Sequence, residues 1–169
     1  MQHQKISLLL ALCFLFTIVL CGCGETTEPK KATTEPTETK QQQTFKIGER
    51  VEMGELVITV NSVNDSQGSE FLKPAAGHVY KIVDCTIENL SDEAEVISSL
   101  MMFKMADSKG YNYNVTIADS SKPSLDGELG PGRKMRGEIA FEVPTDATGL
   151  ELIFEPDFLG FGQAIFKLD

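Results

Sequence analysis

The chain has 169 residues, with 15 basic and 25 acidic side chains and a net charge of −10. Such an acidic surface repels phosphate backbones and argues against nucleic-acid partners. The four cysteines suggest a disulfide framework only until they are placed along the chain.

The N-terminal stretch has three parts. Met1 to Lys5 is short and carries one Lys, Ile6 to Leu20 is an apolar run of 15 residues, and Leu20-Cys21-Gly22-Cys23 closes it with small residues. This is the order of a secretory signal. The run is shorter than the ~20 residues that span a bilayer as a stable helix. The stretch over residues 1–23 resembles bacterial lipoprotein signal peptides. That resemblance implies cleavage before Cys23 and attachment of diacylglycerol to its thiol. Two acyl chains make a stable membrane anchor where one does not. Cleavage takes Lys5, Cys13 and Cys21 with the leader, which leaves 14 basic against 25 acidic residues, a net of −11. Cys23 becomes a thioether, so Cys85 is left alone and no intramolecular disulfide is expected.

Gly24 to Gln43 consists mainly of Thr, Glu, Pro, Lys and Gln, without a large apolar residue. It cannot bury enough surface to offset its chain entropy and is expected to be a disordered stalk. Its mean reach is about 25 Å. The expected organisation is a signal peptide at 1–22, a lipidated Cys23 and stalk at 23–44, and a folded domain at 45–169.

From Phe45 onward the apolar residues recur with a period of two, the signature of half-buried strands. Leu56, Ile58 and Val60 share a face. Val79, Val83, Cys85 and Ile87 point one way, with Asp84, Thr86 and Glu88 the other. Met101, Phe103 and Met105 repeat the pattern. So do Ile139, Phe141 and Val143 against Glu138, Ala140 and Glu142, and Leu150, Leu152 and Phe154 against Glu151 and Glu155. Each strand is thus expected to have one dry and one wet face. Turn residues separate the strands at Asn64–Gly68, Asn89–Asp92, Asp107–Gly110 and Gly130-Pro131-Gly132. Longer loops are expected near Gln67–Gly77 and Ile117–Glu128. About seven to nine strands at such spacing predict an all-β fold, an antiparallel β-sandwich.

The opening Phe45-Lys46-Ile47-Gly48-Glu49, the long strand from Gly77 to Asn89, Asp107-Ser108-Lys109-Gly110-Tyr111, and Leu129-Gly130-Pro131-Gly132 with Gly137, Phe141, Val143 and Pro144 carry a resemblance. Residues 45–168 resemble bacterial lipoproteins with the domain of unknown function numbered 4352. The resemblance implies an immunoglobulin-like sandwich related to small secreted mycobacterial antigens, located outside the cytoplasm. It supplies no catalytic residue to carry over.

The chemistry-bearing residues are sparse. After the leader the only histidine is His78, and no Gly-x-Ser-x-Gly elbow occurs. Nucleophilic catalysis needs a nucleophile, a base and an orienting group together, so the domain is expected not to be an enzyme. Cys85, between Val83 and Ile87, is expected to be a small buried hydrophobe. Glu138 and Glu142 are expected on a solvated sheet face. Tyr111 and Tyr113, on one face of a strand, are candidate partner contacts. So are Phe158, Leu159 and Phe161 in Pro156–Gly162, which would otherwise cap the core. Together these readings predict a lipid-anchored protein on the extracytoplasmic face of a bacterial membrane. It carries a non-catalytic domain that binds a protein, peptide or envelope component, with no cofactor. The alternative is a copper-binding or copper-delivery protein using Met101, Met102, Met105, Met135, His78 and Cys85. Core packing of Met101 and Met105 weighs against it.

Overall fold

The computed structural model describes residues 43–156 and 162–169. Cys23, Phe158, Leu159 and Phe161 lie outside them. Eleven strands and one helical turn follow in order: β1 (Thr44–Lys46), β2 (Arg50–Met53), β3 (Leu56–Ser66), β4 (His78–Asn89), β5 (Glu95–Ile97), α1 (Ser99–Met102), β6 (Phe103–Ala106), β7 (Asn112–Thr116), β8 (Gly127–Leu129), β9 (Lys134–Pro144), β10 (Glu151–Phe154) and β11 (Ala164–Lys167). The alternation predicts fewer strands because β1, β5 and β8 have three residues each, too few to display a period of two.

The strands are hydrogen-bonded in the order β1-β11-β10-β6-β7-β9-β4-β3-β2, with β5 and β8 forming a separate ribbon. The two halves of this order are the two sheets of the sandwich, and β7 belongs to both. Its first part pairs with β6, Tyr113 opposite Met105. Its second part pairs with β9, Val115 opposite Phe141. All pairings are antiparallel except β1 with β11.

The core is drawn from both halves. Ile58, Val60, Val83, Cys85, Ile87, Ile139, Phe141 and Val143 meet Phe103, Met105, Leu152, Phe154 and Phe166. Among the described residues, every side chain of this core, or packed against it, lies between Phe45 and Leu168, so a fragment 43–169 carries the described core. Cys85 is fully buried among these residues. Burial, with the nearby Asp84 carboxylate second, pushes its thiol well above the usual range, so it is inert as a nucleophile.

Gly130-Pro131-Gly132-Arg133 forms a type II turn into β9. The Arg133 amide donates to the Gly130 carbonyl at 3.1 Å, and Gly132 supplies the positive φ of +63° that such a turn requires.

Two sequence expectations fail here. Met101 does not continue the dry face of Phe103 and Met105. The chain winds into α1 at Ser99–Met102, and Met101 is 59% exposed. A period of two over three residues cannot detect one helical turn just before a strand. The second failure concerns the outer face of β4 and β9, which is not wet. Tyr80, Ile82 and Ala140 form a second buried cluster there, with Ala118 packed on it.

Candidate functional site

The outer face of β4 and β9 is covered by the two long loops, 67–77 and 117–126. A β9 glutamate fastens each one. The Ala75 amide donates to Glu142 Oε1 at 2.7 Å. Glu138 accepts from the Ser121 amide at 3.1 Å, from the Ser120 hydroxyl and from Lys122 Nζ at 2.8 Å. Both glutamates were expected to be solvated. Instead they hold backbone that would otherwise float above the sheet.

Asp84 is the centre of a third fastening. It is 2% exposed, so its charge needs partners. Arg136 provides two parallel bonds, Nε to Oδ1 at 3.0 Å and Nη2 to Oδ2 at 2.7 Å. Lys122 Nζ donates to Oδ2 at 2.7 Å, and Asn61 Nδ2 donates to Oδ1 at 3.0 Å. Arg136 is the largest influence, and burial opposes it. With Lys122 and Asn61 added, the carboxyl is held well below its usual range. Asn61 reaches this site because the β3–β4 register shifts between Val60 and Ser62. The extra residue of such a bulge re-aims a side chain.

The 117–126 loop approaches β9 closely at Gly137. A Cβ there would lie 2.4 Å from the Pro123 carbonyl oxygen and 2.9 Å from the Ser124 carbonyl carbon. The Glu138 amide bonds the Pro123 carbonyl at 2.9 Å. Leu125 then drops into the main core, fully buried. Asp126 accepts from the Ser99 amide at 2.8 Å and from its hydroxyl at 3.0 Å, which ties the loop to α1.

Between these fixed points lies a groove of about 850 Å³, within the usual range for ligand sites. Leu72, Ile82 and Ala140 line its apolar floor, Leu100 and Ile117 its walls, and Asp119, Lys122, Asp126 and Glu138 its polar rim. Leu100 is 71% and Ile117 79% exposed, and Phe71, next to Leu72, is almost wholly so. These residues stay wet on a face where loops shield their neighbours.

The sequence-derived candidates sit elsewhere. Tyr111 is exposed and Tyr113 half-buried at the β6–β7 turn, away from the groove end of β7. Tyr113 donates its hydroxyl to Asp107 Oδ2 at 2.9 Å, and Asp107 Oδ1 accepts from the Lys109 and Tyr111 amides. Burial first, then the Asp107 carboxylate, pushes the Tyr113 phenol up to about 12. The soft-metal candidates divide as well: Met105 and Cys85 are buried in the core, and Met101 is exposed on α1. His78 stands at the start of β4, its Nδ1 3.3 Å from the Ala76 carbonyl oxygen. Among the described residues no three His, Cys, Asp or Glu side chains are grouped as a metal would need.

Sequence reasoning missed Asn61, Lys122 and the groove walls. Asp84 inside the apolar stretch Val79–Ile87 was the available signal, because a charge there demands compensation.

The sequence pattern of the family described as Domain of unknown function (DUF4352) matches residues 45–165. The chain belongs to this family. No curated protein sequence matches it. Several solved structures share the fold. The "putative lipoprotein (ycdA)" of Bacillus subtilis has a TM-score of 0.60 at 17% identity, covering 71% of this chain and 38% of its own. The secreted protein MPT63 of Mycobacterium tuberculosis has a TM-score of 0.56 at 18% identity, covering 76% and 99%. An uncharacterized β-sandwich protein of Clostridium difficile has a TM-score of 0.53 at 20% identity, covering 84% and 100%.

Proposed function

We propose that this DUF4352 protein is a lipid-anchored, extracytoplasmic binding protein, without catalytic activity, whose ligand seat is the groove between α1, β7 and the two loops. The groove itself carries the reading. Its apolar walls at Leu100 and Ile117 remain exposed beside a rigidly fastened rim. A concave apolar site with a few convergent polar groups is the usual form of a ligand pocket.

The absence of an enzyme rests on side-chain chemistry. Two of the three carboxylates lining the groove are engaged: Glu138 by Lys122, and Asp126 by Ser99. The anchor rests on the Leu20–Cys23 pattern. The fold shared with a "putative lipoprotein" and a secreted protein is in keeping with that location.

The test of the seat uses the fragment 43–169 and an apolar fluorescent dye such as anilinonaphthalene sulfonate. Saturable binding at one site, lost in Leu100→Glu with an unchanged amide NMR spectrum elsewhere, supports the reading. Dye binding unaffected by Leu100→Glu, or no binding at all, rejects the groove as the seat.

A further inference from the structure

The class of ligand follows from how β7 ends. β6 pairs β7 only as far as Lys104 opposite Asn114. In the same register the residue preceding Phe103 would meet Thr116, but the chain there is coiled into α1. On the other side β7 is paired with β9 at Val115 and Thr116. Among the described residues, therefore, no strand pairs with β7 beyond Asn114 on the β6 side. The groove runs along this stretch, lined by Val115, Thr116, Ile117 and Ala118 together with Ser99 and Leu100 of the α1 turn.

A strand edge offers backbone donors and acceptors at a regular spacing. Only an extended chain answers that spacing along its length, and its alternate side chains then fall into pockets on one face. Here that face meets Leu72, Ile82 and Ala140. The intervening side chains face the rim, where Asp119, Asp126 and Glu138 stand against Lys122 alone. Two negative charges remain there, on a chain of net charge −10. Acidic partners are repelled and basic ones attracted.

We propose that the groove takes an extended peptide with alternating apolar and basic side chains, added as a strand along the open edge of β7. This rests on the groove being the ligand seat. The peptide's main chain supplies the bonds that α1 denies to β7. Its apolar side chains cover Leu100 and Ile117.

The experiment titrates isotope-labelled fragment 43–169 with the capped peptide Val-Lys-Val-Lys-Val, followed by amide NMR. The expected result is saturable shifts at residues 115–118 and Leu100. Ile117→Glu should weaken binding tenfold or more. Val96→Glu, an exposed β5 position that does not line the groove, should leave it unchanged. Methylating alternate peptide amides should abolish binding. Binding of Val-Glu-Val-Glu-Val with equal strength, or retention by the methylated peptide, overturns the proposal. If the dye binds at Leu100 and no peptide does, the seat stands and the peptide is wrong. If neither binds, both readings fall.

Discussion

The two faces of the β4–β9 pair are built on different principles. The inner face is Val83, Cys85 and Ile87 against Ile139, Phe141 and Val143, held by close packing alone. The outer face mixes Tyr80, Ile82 and Ala140 with Asp84, Glu138 and Glu142. Its loops are held by directed bonds to charged groups. Packing tolerates any shape-preserving apolar change, whereas directed bonds fix particular atoms. A sandwich that needs a rigid rim around an open groove can obtain it only from the second kind of contact.

The largest effect should come from the inner face. Phe141→Ala removes a fully buried ring between the sheets and should lower stability by about 3–5 kcal/mol. Urea denaturation of the fragment 43–169 measures this, and the loss should be nearly independent of pH.

Asp84→Ala should follow, at about 2–3 kcal/mol. Breaking a buried pair usually costs more, but Arg136 and Lys122 are partly exposed and regain water. The pH dependence separates this variant from Phe141→Ala. The folded-state value of Asp84 is depressed, so its stabilisation is fully present above the unfolded value of about 3.9. It is lost as pH falls further through the folded-state value. Denaturation midpoints of wild type and Asp84→Ala should converge below about pH 4. A constant gap down to pH 2 would remove Asp84 from its role.

Gly137→Ala should cost about 1–2 kcal/mol, as overpacking does when backbone must give way. The signature is local. Hydrogen exchange should quicken at Glu138, whose amide bonds Pro123, and leave the β3–β4 pairing protected.

Cys85→Ala should be the mildest, about 1 kcal/mol for a small void. A polar thiol reagent should label Cys85 in the folded fragment far more slowly than in the denatured chain.

The inner face was legible because burial on one side of a strand writes a period of two into the sequence. Leu56, Ile58, Val60, Val83, Cys85, Phe141 and Leu152 all follow it and all lie in the core. The Gly130-Pro131-Gly132 turn was equally legible, since Pro and Gly restrict the backbone locally. The outer face was not. Glu138 and Glu142 look solvated in the sequence, and only the return of distant loops makes them fastenings. Asn61 joins Asp84 through a bulge, and a register shift leaves no trace in apolar alternation. Met101 was misplaced because a single helical turn is shorter than one period of evidence for a helix. The groove combines Leu72, Leu100 and Ile117, three loop and helix residues distant in sequence that only the fold assembles.

The parallel pairing of β1 with β11 has a mechanical meaning. Thr44, Phe45 and Lys46 lie beside Ile165, Phe166 and Lys167, with the Phe45 and Phe166 rings 5.7 Å apart. A pull applied from the N-terminal side reaches this three-residue strand before any other described strand. Shear along the strand loads its few bonds together, so β1 should detach in one step while the longer ladders behind it hold. Resistance to such a load is set by a rate of detachment rather than by equilibrium stability. Phe45→Ala should therefore shorten the lifetime of the first rupture under constant force and leave the later rupture of the β3–β4 ladder unchanged.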